Sequence, residues 1–183
     1  MESYLSSIIK QFEYYKSLGD KTFAQLDFEE LLWQPTEESN SIAVIVKHMV
    51  GNMLSRWTNF LTEDGEKEWR YRDEEFINTF NSKEEIIAAW ENGWFCLFDA
   101  IKPLKTEHLE QIVYIRNGGH TVIEAINRQL AHYSYHVGQM VFLGKLLKGD
   151  AWESLSIPKG SSSQYNLNKF SQDKGKRHFT DDL

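Results

Sequence analysis

The sequence predicts an all-α fold, a four-helix bundle with one long crossover. Three observations carry this. Four segments repeat apolar residues at three-and-four spacing, serine caps stand where two of them begin, and a stretch without period separates the second from the third. A length of 183 residues suits one domain with a well-buried core and leaves little room for a second.

The first helix is expected over 2–26, where Leu5, Ile8, Ile9, Phe12, Tyr15 and Leu18 share one face. A short further turn is expected over 27–34 before Pro35, and 36–40 reads as loop. Ser41 caps a second helix that carries Ile42, Ile45, Met49, Met53, Trp57 and Phe60. The stretch 63–80 is charged, aromatic and aperiodic, so it reads as the crossover rather than as a core element. Ser82 and Glu85 have capping-box spacing and open a third helix with Ile86, Ala89, Trp90, Trp94, Leu97 and Ile101, which ends before Pro103. Ile112, Tyr114 and Arg116 alternate up to Asn117, Gly118 and Gly119, the pattern of a small hairpin. The fourth helix is expected over 121–147, with Ile123, Ile126, Leu130, Val137, Met140 and Leu143 facing the core and Gly149 just past its end. The bundle domain is thus placed at 1–155, and 156–183 reads as loop and polar tail.

Composition excludes several functions. A net charge of −7 argues against nucleic acid, and the one basic cluster, 174–178, sits in the tail. Apolar runs are broken well short of membrane-spanning length, and the first residues lack a secretory signal, so a cytoplasmic protein is expected. The single cysteine, Cys96, cannot form an internal disulfide. Set among Trp94, Phe95, Leu97 and Phe98, it reads as a small hydrophobe rather than a reactive thiol.

His132 and His136 are the chemically informative pair. Four residues advance a helix by slightly more than one turn, so both rings project from one stripe and can grip one metal ion. Two imidazoles alone make a poor site. His48, mid-way along the second helix beside its apolar stripe, supplies a third, and three neutral imidazoles leave a coordination position open. His120 is rotated off that face, and His108 and His178 fall in loop and tail. Asn52, one turn after His48, and Gln139, three after His136, are candidates to orient ligands or metal-bound water. Arg128, four before His132, is a candidate to hold a carboxylate at the rim. No acidic residue stands in the immediate neighbourhood of the three histidines; Glu124, two turns before His132, reads as a favourable charge at a helix start.

The runs 41–49, around His48, and 127–139, around His132 and His136, resemble the second-helix and last-helix motifs of the DinB/YfiT-like superfamily, within an uncharacterised bacterial branch. Residues 33–35 and 156–160 look like further branch features, and the resemblance covers about 1–155. It implies an up-down-down-up four-helix bundle, often a homodimer, whose metal triad takes the positions of His48, His132 and His136. Better-characterised members of that superfamily are thiol-dependent transferases or isomerases that use bacillithiol or mycothiol, and others are described as metal-dependent hydrolases. The expectation is therefore a divalent metal, zinc or nickel foremost, acting on a small-molecule substrate with bacillithiol as co-substrate. The lack of a nearby acid favours thiol transfer over hydrolysis, because a metal-bound thiolate needs less proton shuttling. A non-catalytic metal-binding or stress-response dimer is the reading from a different class.

Overall fold

The computed structural model describes residues 2–181 and is mostly helical, with one small two-stranded sheet. Helix α1 (Glu2–Gln25) turns Leu5, Ile8, Phe12 and Phe23 into the core. The short α2 (Phe28–Leu32) is closed by a reciprocal cap in which the Asp27 carboxylate accepts from the Glu30 amide and the Glu30 carboxylate accepts from the Asp27 amide. Ser41 caps α3 (Ile42–Trp57) by accepting from the Val44 amide. This helix ends three residues before Phe60, because Asn59 takes a left-handed φ of 51°; Phe60 stays buried in the turn that follows.

Helix α4 (Lys83–Ile101) starts where Ser82 accepts from the Glu85 amide. The expected capping box is only half made, since the Glu85 carboxylate takes the Asn81 amide, one residue earlier than the box requires. The hairpin is present as β1 (Ile112–Ile115) and β2 (Gly118–Thr121), antiparallel, with Ile115 opposite Gly118. Its turn lies earlier than the glycines suggest. Arg116 and Asn117 are the central residues, at φ 54° and 60°. That conformation costs a side chain energy, and the Asp64 carboxylate offsets it by accepting from both the Arg116 and Asn117 amides at 2.8 Å. Helix α5 (Val122–Lys148) follows at once behind a complete Thr121 and Glu124 capping box, which accounts for Glu124.

In the four long helices, α3 packs against α4 and α5, and α1 against α5 and α4. Phe12, Met49, Met53, Trp90, Trp94 and Tyr133 fill the shared interior and are fully buried. Among the described residues no helix is long and apolar enough to cross a membrane.

Two expectations need correction. The crossover is a connection, with one 3-10 turn at Arg72–Phe76, and Glu63, Glu68, Arg72, Asp73 and Glu74 stay exposed, but part of it does enter the interior: Lys67, Arg70 and Glu75 are buried. Each found an opposite charge within reach, which is what allows ions to leave water. The segment after 156, expected as loop, contains a further helix, α6 (Ser162–Phe170), which buries no residue and so left no apolar period to read.

Candidate metal centre

Helices α3 and α5 bring the three histidines together. His48 and His132 approach through their Nε2 atoms at 3.4 Å, and His132 and His136 at 3.1 Å. One ligand atom from each ring lies within 4.8 Å of the others. Imidazole nitrogens about 2.1 Å from one ion at a tetrahedral angle stand roughly 3.4 Å apart, so these spacings fit a single metal. The donor set fits as well: three imidazoles from two rigid helices, which leave at least one position open. His48 is 6% exposed, whereas His132 and His136 are half-buried, so the open side lies toward α5 rather than behind α3.

Burial favours the neutral form of two of the rings, His132 and His136. Burial, followed by the neighbouring His136 and His48, pushes His132 down to about 3. His136 is lowered mainly by burial, against the hydrogen bond that it donates to Gln139 Oε1, which works in the other direction. Neutral imidazole is the form that binds a metal.

Around the triad stand residues that fix the rings. Gln139 Oε1 lies 2.8 Å from His136 Nδ1, so this glutamine touches the outer nitrogen of a triad histidine, the position from which a ring is oriented. Phe76 stacks on His48, with centroids 5.1 Å apart, and Tyr135 meets His136 edge-on at 5.0 Å. Asn52 is buried and accepts from the Tyr133 hydroxyl at 3.0 Å, while that hydroxyl accepts from Trp57 Nε1 at 3.1 Å. It therefore ties α3 to α5 one turn beyond His48. Arg128 is exposed and lies 3.4 Å from His120 Nε2 on the hairpin.

The statement that no acid is near the triad is overturned. Glu75, from the 3-10 turn in the crossover, places Oε2 2.8 Å from His48 Nδ1. Its carboxylate is also gripped by Arg70, with Nε to Oε1 at 2.7 Å and Nη2 to Oε2 at 3.0 Å. Burial alone would raise its pKa, but the hydrogen bonds from His48 and Arg70 outweigh that and hold it below the usual carboxylate range. The network continues through Glu66, which takes Arg56 at 3.0 Å and Arg116 at 3.2 Å. Glu75 is 27 residues from His48 in an aperiodic stretch, so spacing carries no trace of it. One signal was available: Gly51, a glycine inside an apolar helix three residues after His48, marks a close approach by something.

Cys96 lies apart, half-buried and 3.7 Å from the Thr58 hydroxyl, with its thiol pushed up chiefly by burial. It borders a cavity of about 550 Å³ between the end of α3 and α4, and another of about 570 Å³ lies between α1 and 153–165. Neither is lined by the triad.

No curated protein and no solved structure matches the chain. A family model described as "Protein of unknown function (DUF1572)" matches residues 1–161, a span that holds all three histidines and Glu75, and the chain belongs to this DinB-like family.

Proposed function

We propose that this protein is a metal-dependent small-molecule enzyme, a thiol S-transferase of the bacillithiol-using kind, with His48, His132 and His136 as its metal ligands. The observation that carries the reading is the convergence of one ring nitrogen from each of three histidines within 4.8 Å on two packed helices. A divalent ion held there supplies Lewis acidity, lowering the pKa of a thiol or water at the open position toward neutrality. The chain's own residues do the rest. The three imidazoles hold the ion without adding negative charge, so its full positive charge acts on the ligand. Gln139 keeps His136 turned inward, Phe76 lies on the face of the His48 ring and Tyr135 meets the His136 ring edge-on.

Glu75 does not convert this into a hydrolase reading. It sits on the outer nitrogen of His48 and both its oxygens are engaged, so it is placed to orient a ligand rather than to take a proton from water. In the same reading the four long helices run up-down-down-up, the small-molecule thiol is met by Arg128 at the rim, and the protein is a cytoplasmic homodimer. The net charge of −7 supports the absence of a nucleic-acid partner.

The test is elemental analysis of protein purified without a His-tag or nickel column, because acquired nickel would otherwise pass for the native ion. One equivalent of zinc, nickel or another divalent metal per chain is expected. His48→Ala, His132→Ala and His136→Ala should each lose it while keeping helical circular dichroism. Metal-dependent consumption of bacillithiol with an electrophile supports transfer. Thiol-independent ester or amide cleavage replaces it with hydrolysis, and a wild-type chain that holds no metal removes the reading altogether.

A further inference from the structure

The outer nitrogens of two triad rings are already spoken for. A carboxylate can only accept, so the contact between Glu75 Oε2 and His48 Nδ1 at 2.8 Å puts a proton on Nδ1, and in the neutral imidazole that binds a metal Nε2 then keeps its lone pair. Gln139 Oε1 does the same to His136. Two inward lone pairs then face His132, whose own Nε2 can offer a proton to only one of them. The cluster is short of protons by construction, and a cation answers that shortage.

Glu75 is the firmer of the two anchors. Arg70 binds both its oxygens, and both residues are buried. The carboxylate also lies against the backbone of α3 where Gly51 has no side chain; a Cβ there would overlap Glu75 Oε1 and Cδ. Phe76, the next residue, stacks on the His48 ring.

We propose that Glu75, fixed by Arg70 and admitted by Gly51, is the positioning carboxylate of the triad, which locks His48 with its proton on Nδ1 and its Nε2 free to bind a divalent cation. The proposal rests on the metal reading above and extends it to residues of the crossover. It makes 63–80 a working part of the centre, although it supplies no ligand.

Two variants test it by different routes. Glu75→Gln removes the charge that fixes the tautomer but strands Arg70. Gly51→Ala removes no polar group, suits a helix better than glycine does, and pushes the Glu75 side chain off its place. Zn²⁺ affinity of the full chain is measured by chelator competition, and the His48 tautomer of the metal-free protein is read from its ring ¹⁵N shifts. Wild type should carry the proton on Nδ1. Both variants should bind Zn²⁺ about 10–100-fold more weakly and show mixed His48 tautomers. Zn²⁺ affinities within twofold of wild type in both variants, or a wild-type His48 protonated on Nε2, would overturn the proposal. A wild type that binds no Zn²⁺ sinks the metal reading instead, and the tautomer shift in the variants still decides the role of Glu75. Should Glu75→Gln fail to fold, Gly51→Ala decides alone.

Discussion

The crossover, 63–80, and the C-terminal segment, 156–183, are both charged, both aromatic and both without period, yet they end in opposite environments. In the crossover Lys67, Arg70 and Glu75 are buried, and each has an opposite charge at hydrogen-bond distance: Lys67 with Glu63 at 2.6 Å, Arg70 with Glu75 at 2.7 Å. The described part of the C-terminal segment, 156–181, stays largely exposed, tethered to α1 by an Asp181–Lys10 ion pair, a His178–Ser7 contact at 3.0 Å and the edge of Phe179 on Tyr14. Composition does not decide between these fates. What differs is the partner waiting on the helices: α3 offers the crossover Arg56 and the outer nitrogen of His48, whereas α1 offers the tail one lysine and a hydroxyl. Burying ions gains little stability by itself, because desolvation consumes most of the attraction. A buried network of this size is better understood as a device that places one side chain, and here that side chain is His48.

The comparison breaks most visibly at Arg70. Arg70→Met keeps the bulk of the side chain but leaves the Glu75 carboxylate buried without its cation, a change that costs about 3–5 kcal/mol when one partner of a buried pair is removed. Equilibrium urea unfolding of the metal-free protein reads it directly. A loss below about 1 kcal/mol would place this pair with ordinary surface bridges and remove the contrast between the two segments.

Acid is the next lever, and it acts on His132, which lies beside the ring that the crossover fixes. Burial holds His132 at about 3 in the folded chain, against about 6.5 for an unfolded histidine. Between those values the unfolded chain binds a proton that the native chain does not, so stability is intact above about pH 6.5 and falls as the pH drops toward 3. With solvent screening of a half-buried ring allowed for, the loss is on the order of 2 kcal/mol by pH 4. Chemical denaturation of metal-free protein from pH 7 to 4 measures it. His132→Ala should flatten that part of the profile, and an unchanged slope would mean that another group titrates there.

These effects mark how far the sequence could be read. The long helices were legible because burial imposes a 3.6-residue period, and Ser41 and Ser82 announced two starts through local hydrogen bonds. The same period put His132 and His136 on one face and His48 at the edge of another. Glu75 was not legible, because its contact with His48 joins a loop to a helix across 27 residues and obeys no spacing. The hairpin turn was misplaced by one residue for a related reason: a distant carboxylate, Asp64, pays for the left-handed Arg116, where local propensity would pick glycine. Arg70 and Glu66 were similarly hidden, since a charge in a loop is read as solvated until its partner is known.

The smallest effect belongs to the tail. Helix α6 buries no residue, and among the described residues the segment meets α1 through a surface ion pair, a histidine–serine contact and an exposed aromatic edge. Surface pairs contribute about 0–1 kcal/mol, so ending the chain at Ser161 should lower stability by no more than about 1 kcal/mol and leave Zn²⁺ affinity unchanged. The family match also stops there, at residue 161. Thermal unfolding and chelator competition on the shortened chain check both statements. A loss above about 3 kcal/mol, of the size that breaking a buried ionic contact brings, or a weakened metal site, would show that the tail braces the helices as the crossover does. The distinction between the two segments would then lie in what each holds rather than in whether it is held.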